Sequence, residues 1–515
     1  MGKIYDLKID TFSGGISEDK RSKDFSKFSL TKHFDTYTYP HKLVPYHATA
    51  TPTGIGGADI SAYRFTKLTY APYLSAGAYR LYALGLVATT KATVYQFDVG
   101  DSPASSNWAE VSNSESSTNT RNPNVFFYYK DWIYMWRTGT HLIRYSTTGS
   151  AFEDTYQAVS YVGVVQPVRH PNDDIAYFPV NLSSATTIYK QTDNASGWST
   201  ALTGLPADMM VTAICPYGNY LAITCVTRGS FDPTSVVYLW DRDSSITTLT
   251  ERIDFGKGKI VHLANLNNRL TAVVDLFLSS AYGAKKGKLL VKQVNGVFGV
   301  TVSELTTDSA NGGLFQTATI VSPDAINANS VVKDNKLYFP ARVDLNGDTR
   351  IGIYVVDSNG RVTLDYEQES ATSYDGIFLL DNTWWVAYNG AGAVGYTSYV
   401  QTYSTTLSSV YESLIINGGD SSAKKKLIGV TVDTEPLPTN GQIVLKYRKD
   451  EETSWTTIFT EATDNSISYS AINIKSSGAN LPTIWKEIQF QVNSTGGAVV
   501  TGIKCRYEIE DRDLY

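Results

Sequence analysis

The chain has little of what most covalent or redox chemistry needs. Three cysteines in 515 residues, Cys215, Cys225 and Cys505, cannot make a disulfide framework, and no CxxC pair occurs. An odd count fits thiols that stay reduced, so assembly in a reducing cytoplasm is expected. Charged residues make up 18%, below the roughly 25% of ordinary globular chains. Lys and Arg total 44 against 50 Asp and Glu, a formal net charge of −6. That balance excludes a broadly basic nucleic-acid binder and a polybasic membrane binder. No apolar run reaches the roughly 18 residues of a membrane span. The start, Met1-Gly2-Lys3-Ile4-Tyr5-Asp6, lacks the apolar core of a signal peptide, and without Ser or Thr at position 6 it is a poor myristoylation match. The expectation is a soluble chain with no specific nucleic acid and no membrane insertion, not exported by the usual route.

Catalytic signatures are missing too. There is no GxSxG nucleophile elbow, no HExxH zinc helix and no GxxxxGK[ST] phosphate loop. The six histidines, His33, His41, His47, His141, His170 and His262, include no pair at metal-ligand spacing and none spaced with a cysteine. Most of them are expected in turns or on the surface. Two short segments invite a functional reading. Asp344-Leu345-Asn346-Gly347-Asp348 places oxygen ligands at alternate positions, as calcium loops begin, but the twelfth position is Val355 rather than an acid. An Asn-Gly hairpin turn joining Ala341-Arg342-Val343 to Ile351-Gly352-Ile353 is the better reading. Asp193-Asn194-Ala195-Ser196-Gly197-Trp198 faintly resembles the Asp-box turn of sialidases, but the order differs and there is one copy. A loop between strands is expected there. No catalytic, cofactor-binding or metal-binding residue is nominated, no cofactor is expected, and the chain is expected not to be an enzyme.

What is abundant points to pleated structure. Thr (56) and Ser (48) together make about one fifth of the chain, beside 35 Tyr and 39 Gly. Between residues 65 and 403 a degenerate unit recurs: apolar strand, polar two-residue turn, second apolar strand, loop, and a third strand often holding Tyr. The turns are Lys130-Asp131, Asp173-Asp174, Gly218-Asn219, Asn267-Asn268, Asp334-Asn335 and Asp381-Asn382, with a weaker first copy at Phe65 to Phe97. Seven units of about 48 residues match the period of propeller blades. A single sheet of this kind cannot bury both faces, whereas blades stacked around an axis can. Inner strands should then read as near-continuous apolar runs, as Val125–Tyr128 and Leu289–Val291 do. A pair of β-sandwiches is the alternative, and the phase-matched turns favour the propeller. Most of the Tyr and Trp are expected to fill the cores between blades. The rest could stack on sugars or anchor interfaces.

The ends differ from the middle. Residues 1–60 scatter aromatics among polar, turn and proline signals, which suggests an extended arm laid over another surface. Residues 408–515 alternate with period two in Ile443–Arg448 and Trp485–Val492, as half-buried antiparallel strands do. The expected architecture is all-β: an N-terminal arm (1–60), a β-propeller of about seven blades (61–407) and a jelly-roll-like β-sandwich (408–515).

Three stretches, Phe12-Ser13-Gly14-Gly15-Ile16, Lys32-His33-Phe34-Asp35 to Pro40-His41-Lys42-Leu43, and Thr434-Glu435-Pro436-Leu437-Pro438 to Trp455, carry a resemblance. The chain resembles virion structural proteins of tailed bacteriophages, at both ends by sequence and in the middle by architecture. The resemblance implies a tail, nozzle or adaptor component that works by self-association and by docking on other virion subunits. It implies a homo-oligomer, located in the virion after assembly in the host cytoplasm. It transfers no catalytic residue. The second expectation is a carbohydrate-binding host-recognition protein, with a host surface glycan as partner.

Overall fold

A computed structural model describes residues 3–17, 19–45, 63–73, 79–87, 91–98, 109–111, 121–137, 141–149, 151–193, 197–229, 233–245, 249–276, 287–306, 330–345, 348–367, 371–380, 383–390, 398–402, 408–472, 474 and 483–509. Among these residues there is no helix. Seven antiparallel meanders follow one another along the chain. Their first strands are Tyr63–Pro72, Arg121–Tyr129, Gly163–Val164 continued by Val168–His170, Met209–Tyr217, Lys259–Leu266, Val331–Lys333 and Ala371–Leu380. Each first strand is innermost. The first strand of the last meander packs against that of the first, so the ring closes. The fold is an all-β propeller.

The period-two alternation of each strand drives the stacking. In the second blade, Ile133 and Met135 join a core with Tyr82, Leu84 and Val94 of the first blade. The alternate residues Tyr134 and Trp136 join another core with Ala176, Phe178 and Val180 of the third. The fourth blade repeats this, with Leu221 and Ile223 facing back to Tyr177 and Ile188. Its Ala222 faces forward to Ile260 and Ala272. Each blade therefore buries both faces, and no blade is a stable unit by itself.

The short turns have the geometry their residues favour. Lys130 and Asp131, Asn267 and Asn268, and Asp334 and Asn335 all have φ between 44° and 65°, the left-handed pairs of type I′ hairpins. Gly218 and Asp174 are also left-handed. Asp381 and Asn382 lie outside the described residues. One expectation is corrected. Leu289–Val291 is not on an inner strand but on Lys288–Asn295, the third strand of the fifth blade. Second and third strands are as buried as first ones, as Tyr220–Thr227 and Thr234–Trp240 show. Facing blades cover all three, so a continuous apolar run does not single out the innermost.

The remaining described strands form two five-stranded antiparallel sheets with a shared core, beside a short pair of Phe34–Asp35 with Val44–Pro45. Each sheet takes a strand from the N-terminal segment. Ile4–Ile9 pairs with Val500–Ile509, and Phe28–Lys32 pairs with Ser409–Ser413. The arm expectation therefore does not hold for residues 3–45; residues 46–60 lie outside the described residues. The physical reason is that Ile9, Phe12, Phe28, Leu30 and Phe34 are fully apolar and nearly inaccessible, and they complete the sandwich core instead of lying on a surface. The same segment reaches the sixth blade. Ile16 N–H donates to Val362 O at 2.8 Å, and Tyr37 Oη donates to Val355 O at 3.0 Å.

Candidate functional site

The seven inner strands surround an axial cavity of about 690 Å³. Every blade contributes to its wall: Tyr70, Phe127, Gln166, Ile214, Val261, Val331 and Phe378 are examples, one from each. Several inner strands carry a bulge at this level, between Phe65 and Lys67, Val211 and Ala213, and Ile260 and His262. A bulge adds a residue and bends the strand. In the fourth blade Thr224 Oγ1 secures the bend, taking Ala213 N–H at 2.6 Å and lying 2.8 Å from Thr212 Oγ1.

The polar groups on this wall are basic or neutral, and they include Asn265, whose buried Oδ1 has no hydrogen-bond partner. Among the described residues no Asp or Glu lines the cavity. Lys67 is nearly buried, and burial pulls its ammonium down to about 7. His262 is 2% exposed, with its ring 5.4 Å from that of Phe339. Burial, helped by the Lys67 charge, takes its imidazole down to about 3, so it is neutral at physiological pH. Its Nδ1 has no hydrogen-bond partner. Gln166 is committed, donating from Nε2 to Phe126 O at 3.1 Å. At the wall, Tyr70 stacks on Tyr79 with centroids 5.2 Å apart, and Tyr79 is 47% exposed. A second cleft, about 510 Å³, lies between the N-terminal segment and the fifth blade, lined by Ile16, Asp24, Lys27, Val302, Glu304 and Arg361 among others.

Sequence reasoning nominated none of these residues. The available signal was a polar residue interrupting an apolar strand: Lys67 after Phe65-Thr66, and His262 between Val261 and Leu263. The histidine expectation is corrected for three residues, since His33, His170 and His262 are buried. His170 Nε2 lies 3.1 Å from Tyr220 O, and His33 Nδ1 lies 3.0 Å from Ser408 O. Backbone carbonyls supply the partners that a surface position would leave to water. His41 is exposed, and His47 lies outside the described residues.

Each of the two weak motifs includes residues outside the described ones. Leu345 pairs with Asp348 and Arg342 with Ile351, so the motif's described residues sit on two paired antiparallel strands; Asn346 and Gly347 lie outside the described residues. Asp193 and Trp198 flank residues 194–196, which also lie outside, and Trp198 stacks on Tyr189 at 4.2 Å. A GxGxxG spacing occurs at 390–395. It joins strands Thr383–Gly390 and Ser398–Thr402 of one antiparallel sheet, whereas a dinucleotide fingerprint needs a strand leading into a helix. Among the described residues no group of three His, Cys, Asp or Glu is placed to hold a metal.

No protein-family model and no curated protein matches the chain. Among solved structures it is similar to YCF48 bound to D1 peptide, at 9% identity and TM-score 0.42, covering 70% of this chain and 97% of that one. It is also similar to the extracellular domain of the putative hybrid two component system BT4673 from B. thetaiotaomicron, at 11% identity and TM-score 0.41, covering 80% of this chain and 44% of that one.

Proposed function

We propose that the chain is a structural component of a tailed-bacteriophage virion, a tail, nozzle or adaptor part that self-associates and docks on neighbouring subunits. The supporting observation is the placement of exposed apolar side chains on two outer strands. On the fifth blade, Phe298, Val300 and Val302 of the outer strand Phe298–Thr306 are 60%, 46% and 44% exposed. That strand meets the fourth blade through a single bridge, Asp254 to Phe298. On the sandwich, Ser468–Ile472 ends its sheet, with Ile472 74% exposed at its last position and Ile467 61% exposed just before its first. Apolar side chains in a row along one face of an outer strand, as Phe298, Val300 and Val302 are, mark an association surface, and an edge strand can pair with another chain. A ring-shaped assembly would use one such margin per contact.

Mass spectrometry of purified particles, from a host that carries the gene, tests the assignment: the chain should be present in stoichiometric amount, and its absence would end the idea. Phe298→Asp and Ile472→Asp should each reduce incorporation while leaving the isolated chain folded.

The glycan-binding reading has one observation in its favour. The stacked Tyr70–Tyr79 pair joins the wall of the axial cavity to the solvent, and aromatic faces bind sugars. A glycan array that is silent for the wild-type chain would remove it.

A further inference from the structure

We propose that the margin strand of the sandwich, Ser468–Ile472, pairs antiparallel with the same strand of a second copy of this chain, about a two-fold axis at Ser470. The inference rests on the self-association reading above and names the partner of that margin. One edge of the strand is occupied. It pairs with Lys425–Thr434, from Asp433 opposite Ser468 to Gly429 opposite Ile472. Just before it, Ile467 O accepts from Thr434 N–H at 2.9 Å. In an antiparallel ladder the N–H and C=O of one residue point to the same side, and the side alternates along the strand. Ile467, Tyr469 and Ala471 therefore turn their backbone groups towards Lys425–Thr434. Ser468, Ser470 and Ile472 turn theirs to the other edge, where no described strand lies. Free donors and acceptors at every second residue are what an added strand satisfies.

Charge points to a copy of the same strand and sets its direction. From Asn465 to Ile472 the chain carries no charge. The opposite margin of this sheet, Ile4–Ile9, exposes Asp6 and Lys8, as guarded edges do. The margin of the other sheet, Thr456–Glu461, exposes only Thr457 and Thr460. Beyond the Ser468 end lies the exposed Asp464. Beyond the Ile472 end, on the neighbouring strand, lies Lys426. Antiparallel copies set these opposite charges against each other, whereas parallel copies would set like against like. With Ser470 facing its own copy, Ser468 faces the copy's Ile472, so every residue with free backbone groups meets another. On the core side Tyr469, whose ring centroid lies 4.3 Å from that of Phe459, meets the copy's Ala471.

Analytical ultracentrifugation of the full chain, in reducing buffer and over a range of concentrations, tests the pairing. The wild-type chain should show a monomer–dimer equilibrium. Ser470→Pro removes an N–H that faces the open edge and spares the ladder to Lys425–Thr434, a position where sheets tolerate proline. It should weaken the dimer by roughly a hundredfold, the loss of one hydrogen bond from each copy, with the circular dichroism unchanged. Ile472→Asp should weaken it as well, by placing a charge in the joint, and gives the reading if Ser470→Pro disturbs the fold. Phe298→Asp, on the fifth blade, should leave the dimer as it is. A monomeric wild-type chain at every concentration would overturn the proposal, as would an unchanged dimer in a folded Ser470→Pro or Ile472→Asp chain. A monomer that is nonetheless present in particles would sink this pairing alone, and a dimer absent from particles would sink the virion assignment alone.

Discussion

Lys32 and Glu367 form an ion pair at 3.0 Å between the second sandwich sheet and the outer strand of the sixth blade, with side chains only 10% and 7% exposed. Arg350 approaches the other carboxylate oxygen at 3.5 Å. Glu367 also donates its backbone N–H to His33 Nε2 at 3.4 Å, and His33 holds a left-handed backbone with φ 61°. The pair is electrostatic rather than a well-directed hydrogen bond, since Glu367 Oε2 has no aligned donor. It lies where the N-terminal segment joins sandwich to propeller.

Removing one partner of a buried pair strands the other charge, at a cost of about 3–5 kcal/mol. Lys32→Met should fall at the low end of that range because Arg350 remains beside Glu367. The double change Lys32→Met with Glu367→Gln should recover part of the loss. Urea unfolding of the four chains measures this. A single variant within about 0.5 kcal/mol of wild type would mean that the pair does not hold the joint.

Gly258 sits where the chain leaves the fourth blade and enters the fifth. Its φ is 105°, and a Cβ there would lie 2.5 Å from Val274 Cγ1 and 3.2 Å from Asp275 O. Gly229 is also left-handed, at φ 63°, but a Cβ there would meet nothing within 4 Å. Gly229→Ala should therefore cost only the backbone term, about 1 kcal/mol. Gly258→Ala should cost about 2–4 kcal/mol, because the clash adds to the strain. Equal costs in thermal or urea unfolding would show that the blade crossing relaxes around the methyl group.

Cys215, Cys225 and Cys505 are free and buried, and burial pushes each thiol far above its ordinary range. Thiolate is the reactive form. A thiol reagent should label the native chain slowly and label all three residues at once in denaturant. Rapid labelling of the native chain would show that the fourth blade or the sandwich opens locally.

The ring of blades was legible because its turns obey strict backbone chemistry. Asn267-Asn268 and Asp334-Asn335 are residues that tolerate a left-handed φ, placed between two apolar runs. The outer strands were not legible. Phe298–Thr306 and Glu251–Lys257 mix exposed and buried positions, because only one side of an outer strand meets neighbouring structure. Nor could local pattern place Ile4–Ile9 beside Val500–Ile509. Its partner lies almost 500 residues away, and an edge strand with one buried face looks much like an exposed arm. The cavity residues were hidden for a related reason. A lone Lys67 or His262 gains meaning only when seven strands from distant parts of the chain surround it.

Asp275 gives the clearest pH signature. It faces Lys259 across paired strands, is 6% exposed, and has no partner for Oδ1. Burial raises its carboxyl from 3.8 to about 6, and the Lys259 charge opposes the shift without cancelling it. The native state then holds a proton more tightly than the unfolded chain between pH 3.8 and about 6. By linkage, this group's contribution to stability falls as pH rises through that window and is flat above it. A shift of about two units corresponds to roughly 3 kcal/mol at most. Asp275→Asn removes the ionisation and nearly keeps the shape. It should stabilise the chain by about 1–3 kcal/mol at neutral pH and by almost nothing below pH 3.8, where the wild-type carboxyl is protonated in both states. Urea unfolding at both ends of the window compares the two chains. A destabilised Asp275→Asn chain at neutral pH would show instead that attraction to Lys259 outweighs the burial of the charge.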